Sequence, residues 1–360
     1  MKLHIFNPSH DLALAANTSN FTAPHAARQL AYDLGFQPAL WCNDGDAVLV
    51  DNVELARQAS RRLFINVKRV GLTIDKQVTF VDWEHLPYIK VDSIEPWGWD
   101  AALKRKLVQA GVDDSLLPTD VKIEELRQLS HRRTSAKVLG EFSGFSVTEC
   151  RSMNELYDTV GNYGSAVIKM PWSSSGRGLR YLESRNLNPH QDGWARNVIA
   201  KQGSVMVEPW YNKILDFAME FSIGPDGDVT YLGLSLFYTE NGQYRGNMLA
   251  TESTKEELLT RYVTAQQLKN VKQRLMDVLP HHLAGYSGVF GVDMMLVSHD
   301  GSIAIHPCVE INLRRTIGHT ALAISPTDCR YEKAMRIEFD GDRYRLKITK
   351  IKINANYKFQ

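Results

Sequence analysis

Short apolar segments alternate with longer amphipathic segments over the first third of the chain. KLHIF has the apolar character of a strand, and APHAARQLAYDLG follows with helical spacing, Pro24 near its start and Gly35 at its end. DAVLV and NVELARQASRRL repeat this order, and we expect LFINV and VTFVDW to be further strands. Such alternation predicts a small domain built on a parallel sheet, which ends where VDDSLLPTD interrupts the pattern.

The rest of the chain predicts antiparallel hairpins. Helices near 121–143 precede the strands AVIKM and LRYLE, which flank a loop of serine and glycine. A later group of apolar segments comprises SVMVEPWYN, LDFAMEFSI and VTYLGLSLFY, a long helix near 254–279, and GVFGVDMMLV and SIAIHPCVEIN around the turn SHDG. The final segment RYRLKITKIKI alternates charged with apolar residues, which predicts an edge strand protected by lysines.

Composition narrows the class of protein. The 360 residues are 44% hydrophobic and 23% charged, which is typical of a globular chain with two or three domains. The net charge of +1 gives no bulk electrostatic reason for a nucleic-acid or membrane partner. The cysteines form no CxxC pair, and no apolar stretch reaches the roughly 18 residues of a membrane span. We therefore expect a cytoplasmic protein that acts on small molecules.

The loop in VIKMPWSSSGRGLRYL has the residue types that bind phosphate. Lys169 precedes it, and its small residues offer spare hydroxyl and N–H donors to phosphate oxygens. It is not a P-loop, because no GK[ST] follows the glycines and the next element is a strand. Taken alone, an exposed hairpin loop is the commoner explanation of such a segment.

The segment VMVEPWYNKILDFAMEF is a candidate for binding a purine nucleoside. Glu208 ends a strand before Trp210 and Tyr211, where backbone groups can pair with the edge of a purine, and Asp216 follows at a distance suited to a ribose hydroxyl. A strand end with a packed tryptophan and surface acids explains this segment equally well.

Two later strands carry oxygen ligands inside apolar sequence. Asp293 lies in GVDMMLV, and Glu310 and Asn312 lie in VEINLR. Carboxylate and amide oxygens are ligands that Mg²⁺ prefers while it also binds substrate phosphates. An ion pair of Glu310 with Arg314 or Arg315 is the structural alternative, but it does not explain why Asp293 and Asn312 share the same two strands.

The register of these two strands needs an irregularity. A tight hairpin at SHDG leaves Asp293 and Glu310 several residues out of register. Pro307 cannot donate to a strand ladder, so we expect a bulge there that absorbs the surplus.

The order of these elements resembles the ATP-grasp superfamily from about residue 125 to 325, and the preceding βα domain resembles the one that comes before the grasp in carboxylate ligases. The resemblance implies an α/β and α+β fold. Its parts are a Rossmann-like domain at 1–120, a small ATP-grasp lobe at 121–202, a large lobe with an antiparallel sheet and the metal site at 203–330, and a C-terminal β-hairpin packed on the large lobe at 331–360.

The resemblance also implies a set of residues that bind ATP. Those facing the phosphates are Arg133, Lys169, Ser174, Ser175 and Gly176. Those facing the nucleoside are Glu208, Trp210, Tyr211 and Met295 at the base and Asp216 at the ribose. Arg133 stands where many family members have a lysine, and that exchange is not neutral.

The implied metal ligands are Asp293, Glu310 and Asn312, with Glu310 bridging two Mg²⁺ ions that Mn²⁺ can replace. Arg314 is expected to face the transferred phosphate or the acceptor. Arg245 is expected to supply a second cation, although an exposed loop arginine is nearly as good an explanation.

The implied function is that of an ADP-forming ligase that uses ATP and Mg²⁺. A carboxylate becomes an acyl phosphate, and an amine or similar nucleophile then forms a C–N or C–S bond. A small-molecule kinase on the same scaffold and a non-catalytic nucleotide-binding protein remain open alternatives. The expected partners are a carboxylate and an amine, with a homodimer as the default assembly.

Overall fold

The structure is a computed structural model of the chain. It describes residues 1–72, 74, 76–173, 178–240, 243–299, 301–327 and 333–350.

The N-terminal part is built on a parallel sheet of four strands in the order β3-β2-β1-β4. The strands are β1 (Lys2–Ile5), β2 (Ala47–Leu49), β3 (Thr79–Val81) and β4 (Ser93–Pro96). The helices are α1 (His10–Ala16), α2 (His25–Leu34), α3 (Val53–Arg69) and α4 (Ala101–Gln109), with short 3-10 helices at Gln37–Leu40, Leu86–Tyr88 and Asp114–Leu116. The parallel pairing predicted from the βα alternation is confirmed.

The segment LFINV is not a strand but the last part of α3. Ala56, Ser60, Leu63 and Val67 are buried at intervals of three and four residues, which is the spacing of one helix face. The prediction was wrong because a short apolar run does not distinguish a strand from a buried helix segment.

A second sheet has four antiparallel strands in the order β5-β8-β6-β7. They are β5 (Thr148–Cys150), β6 (Ala166–Lys169), β7 (Leu179–Leu182) and β8 (Val205–Pro209). Helices α5 (Asp120–Leu129) and α6 (Arg132–Leu139) precede this sheet, which we call the small sheet. Helices α7 (Met153–Tyr163) and α8 (Pro189–Gln202) supply Leu156, Val160 and Val198 to its core.

The largest sheet has seven strands in the order β13-β12-β9-β10-β11-β14-β15, and we call it the large sheet. Its strands are β9 (Asn212–Ile223), β10 (Val229–Glu240), β11 (Gln243–Leu249), β12 (Gly288–His299), β13 (Ser302–Asn312), β14 (Lys333–Phe339) and β15 (Tyr344–Lys350). All neighbouring strands in it are antiparallel. The described part of the C-terminal hairpin, β14 and β15, thus extends this sheet, and it packs Met335, Leu346 and Ile348 against the N-terminal helices.

The long helix expected near 254–279 is two helices, α9 (Glu252–Thr260) and α10 (Ala265–His282). The chain breaks because Thr264 caps a new helix, with a reciprocal pair of hydrogen bonds between Thr264 and Gln267. A last short helix, α11 (Ile317–Ala323), follows β13. Within the described ranges, no helix combines the length and the apolar character needed to cross a membrane.

Strand β9 shows how the large sheet separates its core from its polar face. Phe217, Met219 and Phe221 belong to the main hydrophobic core, which also contains residues of α9 and α10. The alternate residues Asp216, Ala218 and Glu220 line a cavity on the other side. This alternation follows from the two-residue period of a strand.

The hairpin of β12 and β13 contains the irregularity expected at Pro307. Asp293 lies opposite Glu310, and Met295 lies opposite His306. Between these pairs Met294 faces the three residues 307–309, so β13 carries the surplus. The irregularity therefore brings Asp293 level with Glu310.

The core predicts the effect of removing one ring. Phe221 is fully buried and stacks on Phe290 with a centroid separation of 5.5 Å. We expect Phe221→Ala to lower the free energy of unfolding by about 3–5 kcal/mol, since it removes buried surface and leaves a cavity. Tyr88→Ala, at a position that is 84% exposed, should change it by less than about 0.5 kcal/mol in the same urea titration. Equal losses in the two variants would contradict this description of the core.

Candidate active site

A cavity of about 330 Å³ lies between the small sheet and the polar face of the large sheet. Lys169, Tyr181 and Glu208 reach it from β6, β7 and β8. Asp293 and Glu310 reach it from β12 and β13 on the opposite wall. We call this space the central cavity.

Most of the predicted site residues line the central cavity. They are Lys169, Glu208, Trp210, Tyr211, Asp216, Asp293, Met295, Glu310, Asn312 and Arg314. Ser174, Ser175 and Gly176 lie outside the described residues. Arg133 and Arg245 are not among the described residues that line the cavity. The roles of all these residues stay predictions, but their convergence is a property of the fold.

One end of the central cavity is aromatic. The rings of Tyr181 and Trp210 are 5.3 Å apart, and the ring of Tyr211 packs against Phe145. Met295 adds an apolar surface from β12. Flat rings and a thioether of this kind suit a planar base. The backbone N–H of Trp210 donates to the C=O of Ser165 at 3.1 Å, so this backbone donor is already used within the protein.

Lys169 and Glu208 form an ion pair on adjacent strands of the small sheet, and both side chains are buried. Sequence reasoning gave them separate roles, at the phosphates and at the base. Their pairing holds the Lys169 ammonium in place at the wall of the cavity, where its remaining donors can meet an anion.

Asp216 is held by two neighbours on the large sheet. Lys213 Nζ lies 2.6 Å from its Oδ2, and the hydroxyl of Thr239 donates to the same oxygen at 2.5 Å. Lys213 also lines the cavity and was missed by the sequence analysis. The only sequence signal for a site role of Lys213 was that it lies three residues before Asp216.

Asp293 and Glu310 face each other directly across β12 and β13. The amide of Asn312 donates to Oδ2 of Asp293 at 3.0 Å. Enclosure by the protein, together with the charge of Glu310, raises the pKa of Asp293 to about 7. A bound cation would offset the repulsion between the two carboxylates, so the donor set fits a divalent metal.

The chemistry of these donors favours a metal that shares its ligands with a substrate. Among the described residues, no three or more His, Cys, Asp or Glu side chains converge as a metal site. Two carboxylates and an amide leave coordination positions for phosphate oxygens and water. Mg²⁺ has this preference.

Arg132, not Arg133, contacts a residue that lines the central cavity. Arg132 Nη2 lies 2.9 Å from Glu310 Oε1, and the same side chain donates to the C=O of Met170 and to the hydroxyl of Ser173. Arg133 turns away and forms two hydrogen bonds with Glu149. Consecutive helical residues point about 100° apart. Helix α6 begins at Arg132, and this starting point determines which of the two arginines is directed towards Glu310.

Arg245 is displaced by a bulge. Gly246 lies opposite Tyr238 and Tyr244 lies opposite Thr239, which leaves Arg245 as the extra residue in the ladder between β10 and β11. Its side chain is exposed, whereas Tyr244 and Asn247 line the cavity. The structure therefore does not bring Arg245 to the position that the resemblance implied.

Arg314 joins the site to the N-terminal domain. It donates from Nε and Nη2 to the carboxylate of Asp11, with the shortest distance at 2.7 Å, and from Nη2 to Asn312 Oδ1 at 3.0 Å. Burial raises the pKa of Asp11, but Arg314 outweighs this effect and holds the pKa below its usual value. The two residues are 303 positions apart in the chain, and no sequence pattern indicated this ion pair.

The pair between Arg314 and Asp11 predicts a stability effect. We expect Asp11→Ala to lower the free energy of unfolding by about 3 kcal/mol, because it leaves the Arg314 guanidinium enclosed without its partner. Asp342→Ala removes an exposed pair with Arg343 and should change stability by less than about 1 kcal/mol. Urea denaturation measures both, and a negligible loss in Asp11→Ala would contradict this role.

Substitution of the two neighbouring arginines should have different effects on stability and on ATP affinity. Arg133→Ala should lower stability by about 1–3 kcal/mol and leave ATP affinity within about twofold, since it removes contacts with Glu149 and His131, neither of which lines the cavity. Arg132→Ala should weaken Mg-ATP binding at least about 10-fold, because it removes the cation beside Glu310. Calorimetric titration with Mg-ATP and urea denaturation separate these outcomes, and loss of ATP affinity in Arg133→Ala alone would reverse the assignment.

The stability difference between wild type and Arg133→Ala should also depend on pH. The hydrogen bonds from Arg133 lower the pKa of Glu149 from 4.5 to about 2. A lowered pKa stabilises the fold at pH above the unfolded value, and this stabilisation disappears as the carboxylate is protonated. The difference should therefore be full above pH 4.5 and shrink as the pH falls towards 2.

Comparison with known proteins finds solved structures with a similar fold. No protein-family model matches the chain. A protein from Archaeoglobus fulgidus assigned to the ATP-grasp superfamily superposes with a TM-score of 0.50 and 13% identity, covering 98% of this chain and 100% of the other. The biotin carboxylase domain of Hydrogenobacter thermophilus 2-oxoglutarate carboxylase, solved with MgADP and bicarbonate, has a TM-score of 0.53 and 12% identity, covering 93% and 74%.

A curated relative is similar in sequence. The butirosin acyl-carrier protein L-glutamate ligase of Niallia circulans is 23% identical over 202 residues, which are 53% of this chain and 44% of the relative. The chain thus matches less than half the length of that protein. The predicted fold class is confirmed, and the chain has the ATP-grasp fold.

Proposed function

We propose that the protein is an ADP-forming ligase that uses ATP and Mg²⁺ to activate a carboxylate as an acyl phosphate for attack by an amine or similar nucleophile. The observation that carries this proposal is the pairing of Asp293 with Glu310 in the same cavity as Lys169 and the aromatic end. The sequence similarity to a ligase of L-glutamate supports carboxylate activation. The MgADP bound to the biotin carboxylase domain supports the choice of nucleotide and metal.

The nucleotide would lie along the cavity with its base at the aromatic end. The base would pack between Tyr211 and Met295, and Asp216 would accept a hydrogen bond from the ribose. Met295 and Asp293 are two positions apart on β12, which is about 7 Å along a strand. With the base at Met295, this distance would place the phosphates near Lys169 and the two carboxylates.

Asp293, Glu310 and Asn312 would hold Mg²⁺, which when bound would neutralise the phosphate charge and orient the oxygens of the transferred group. We propose that two ions bind and that both are held by Glu310. Arg132 already contacts Glu310, so its guanidinium would hold that carboxylate in a fixed orientation. Arg314 would position Asn312 through the hydrogen bond between their side chains.

The reaction would proceed in two displacements. An oxygen of the substrate carboxylate attacks the γ-phosphorus, and the bond from that phosphorus to the bridging oxygen of ADP breaks. The nucleophile then attacks the acyl carbon in its neutral form, and inorganic phosphate leaves with the C–O bond electrons and takes up the proton that the nucleophile loses. The protein positions the reactants and neutralises charge, which is most of what phosphoryl transfer requires.

The proposal predicts the behaviour of Glu310→Gln. Turnover should fall by at least about 1,000-fold, because the metal contributes several kcal/mol of charge stabilisation and Glu310 is one of its ligands. The measurement is ADP formation in a pool of amino acids and small carboxylates, with mass identification of the product.

Glu141→Gln is the matched control. Glu141 is exposed and pairs with Arg274 and His282 at the surface, so this variant should retain full turnover. Full activity in Glu310→Gln would contradict the site. A stable phosphorylated product in wild type, without a new amide or thioester, would show a kinase in place of a ligase.

A further inference from the structure

The central cavity continues past the carboxylates to a closed end that the proposed nucleotide does not reach. Glu220, Ser235, Tyr244, Asn247 and Gly318 line this end. Glu220 lies opposite Gly291 on β12, which is two positions from Asp293 and so about 7 Å further along the strand. A group bound at Glu220 would therefore lie next to the proposed site of phosphoryl transfer.

Glu220 is buried without a counter-charge. Its side chain is only 1% exposed, and its Oε2 has no hydrogen-bond partner. No Lys or Arg nitrogen among the described residues lies within ion-pair distance of it. Burial and the charge of Asp293 raise the pKa of Glu220 to about 8, so a bound cation would favour the ionised form of this carboxylate.

The nearby His319 does not supply the missing charge. Its Nδ1 lies 3.0 Å from Glu220 Oε2. That nitrogen accepts the backbone N–H of Thr316 at 3.1 Å, so it carries no hydrogen for the carboxylate. Burial lowers the pKa of His319 to about 3, which keeps the ring neutral.

The other polar groups at the closed end satisfy one another. Asn247 Nδ2 donates to the hydroxyl of Ser235 at 2.7 Å, and the hydroxyl of Tyr244 donates to Asn247 Oδ1 at 2.6 Å. Glu220 thus differs from its neighbours, because its Oε2 has no hydrogen-bond partner while their polar side chains are already paired.

Two glycines make room for this carboxylate. A Cβ at Gly291 would lie 2.6 Å from Glu220 Oε2, and a Cβ at Gly318 would overlap Oε1. Any larger residue at either position would displace the Glu220 side chain. Backbone that approaches an acid this closely holds it in one orientation.

We propose that Glu220 binds the ammonium group of the amine substrate at the closed end of the central cavity. This assignment rests on the proposed ligase function. An ammonium has three donors and one positive charge, so it fills the free acceptor and balances the charge of Glu220. An alcohol brings no charge, and the site therefore selects amines.

Methylammonium chloride is the probe for this site, since it is a minimal primary ammonium. Its affinity is measured by calorimetric titration of the protein saturated with Mg²⁺ and a non-hydrolysable ATP analogue, with tetramethylammonium chloride as the reference salt. Wild type should bind methylammonium in preference to the reference. Glu220→Gln should weaken this binding by roughly 10-fold or more, as expected for loss of a charge-assisted hydrogen bond.

The control variant is Glu252→Gln. Glu252 accepts hydrogen bonds from Leu234 and Tyr231 near the same part of β10 and does not line the cavity. It should bind methylammonium as wild type does. Glu220→Gln should also keep the Mg-ATP affinity of wild type, which a general loss of structure would not allow.

The outcomes separate this inference from the ligase proposal. No preference for methylammonium in wild type, or equal affinity in wild type and Glu220→Gln, overturns the amine site even if ADP forms with a substrate pool. Binding that depends on Glu220 in a protein without ADP turnover supports the amine site and overturns the ligase.

Discussion

Two carboxylates directly opposite each other on neighbouring strands repel, and the arrangement of the site follows from that repulsion. Asp293 and Glu310 are paired across β12 and β13, and the pKa of Asp293 is raised to about 7 by its enclosure and by Glu310. Like charges in this position destabilise a sheet. The cation that we propose between them would offset this repulsion.

Several features of the fold maintain this unfavourable pairing. The surplus residues at Pro307 bring the two strands into register, and Arg132 supplies a positive charge at Glu310. Arg314 holds Asn312 from the side of the N-terminal domain through its pair with Asp11. The apolar face of the same sheet packs on α9 and α10, so the strands that carry the acids are fixed by a core on their other side.

The sequence predicted residues that lie on the strands of the cavity wall. Asp293, Glu310 and Asn312 were expected from oxygen ligands inside apolar strands and from the resemblance, and a two-residue period extended from Asp216 along β9 would have found Glu220. Arg132 and Arg133 were not distinguishable, because helical phase depends on where α6 begins. The bulge that displaces Arg245 and the contact between Asp11 and Arg314, which are 303 positions apart, arise from tertiary structure. Local sequence patterns do not predict the bulge or the contact.

A crystal structure with Mn²⁺ and a non-hydrolysable ATP analogue tests the central claim most directly, because the anomalous signal of manganese locates the ion independently of the nucleotide. The account predicts the ion on Asp293 and Glu310, with the base against Tyr211 and Met295. Manganese elsewhere, or a nucleotide bound at the parallel sheet of the N-terminal domain, would contradict it.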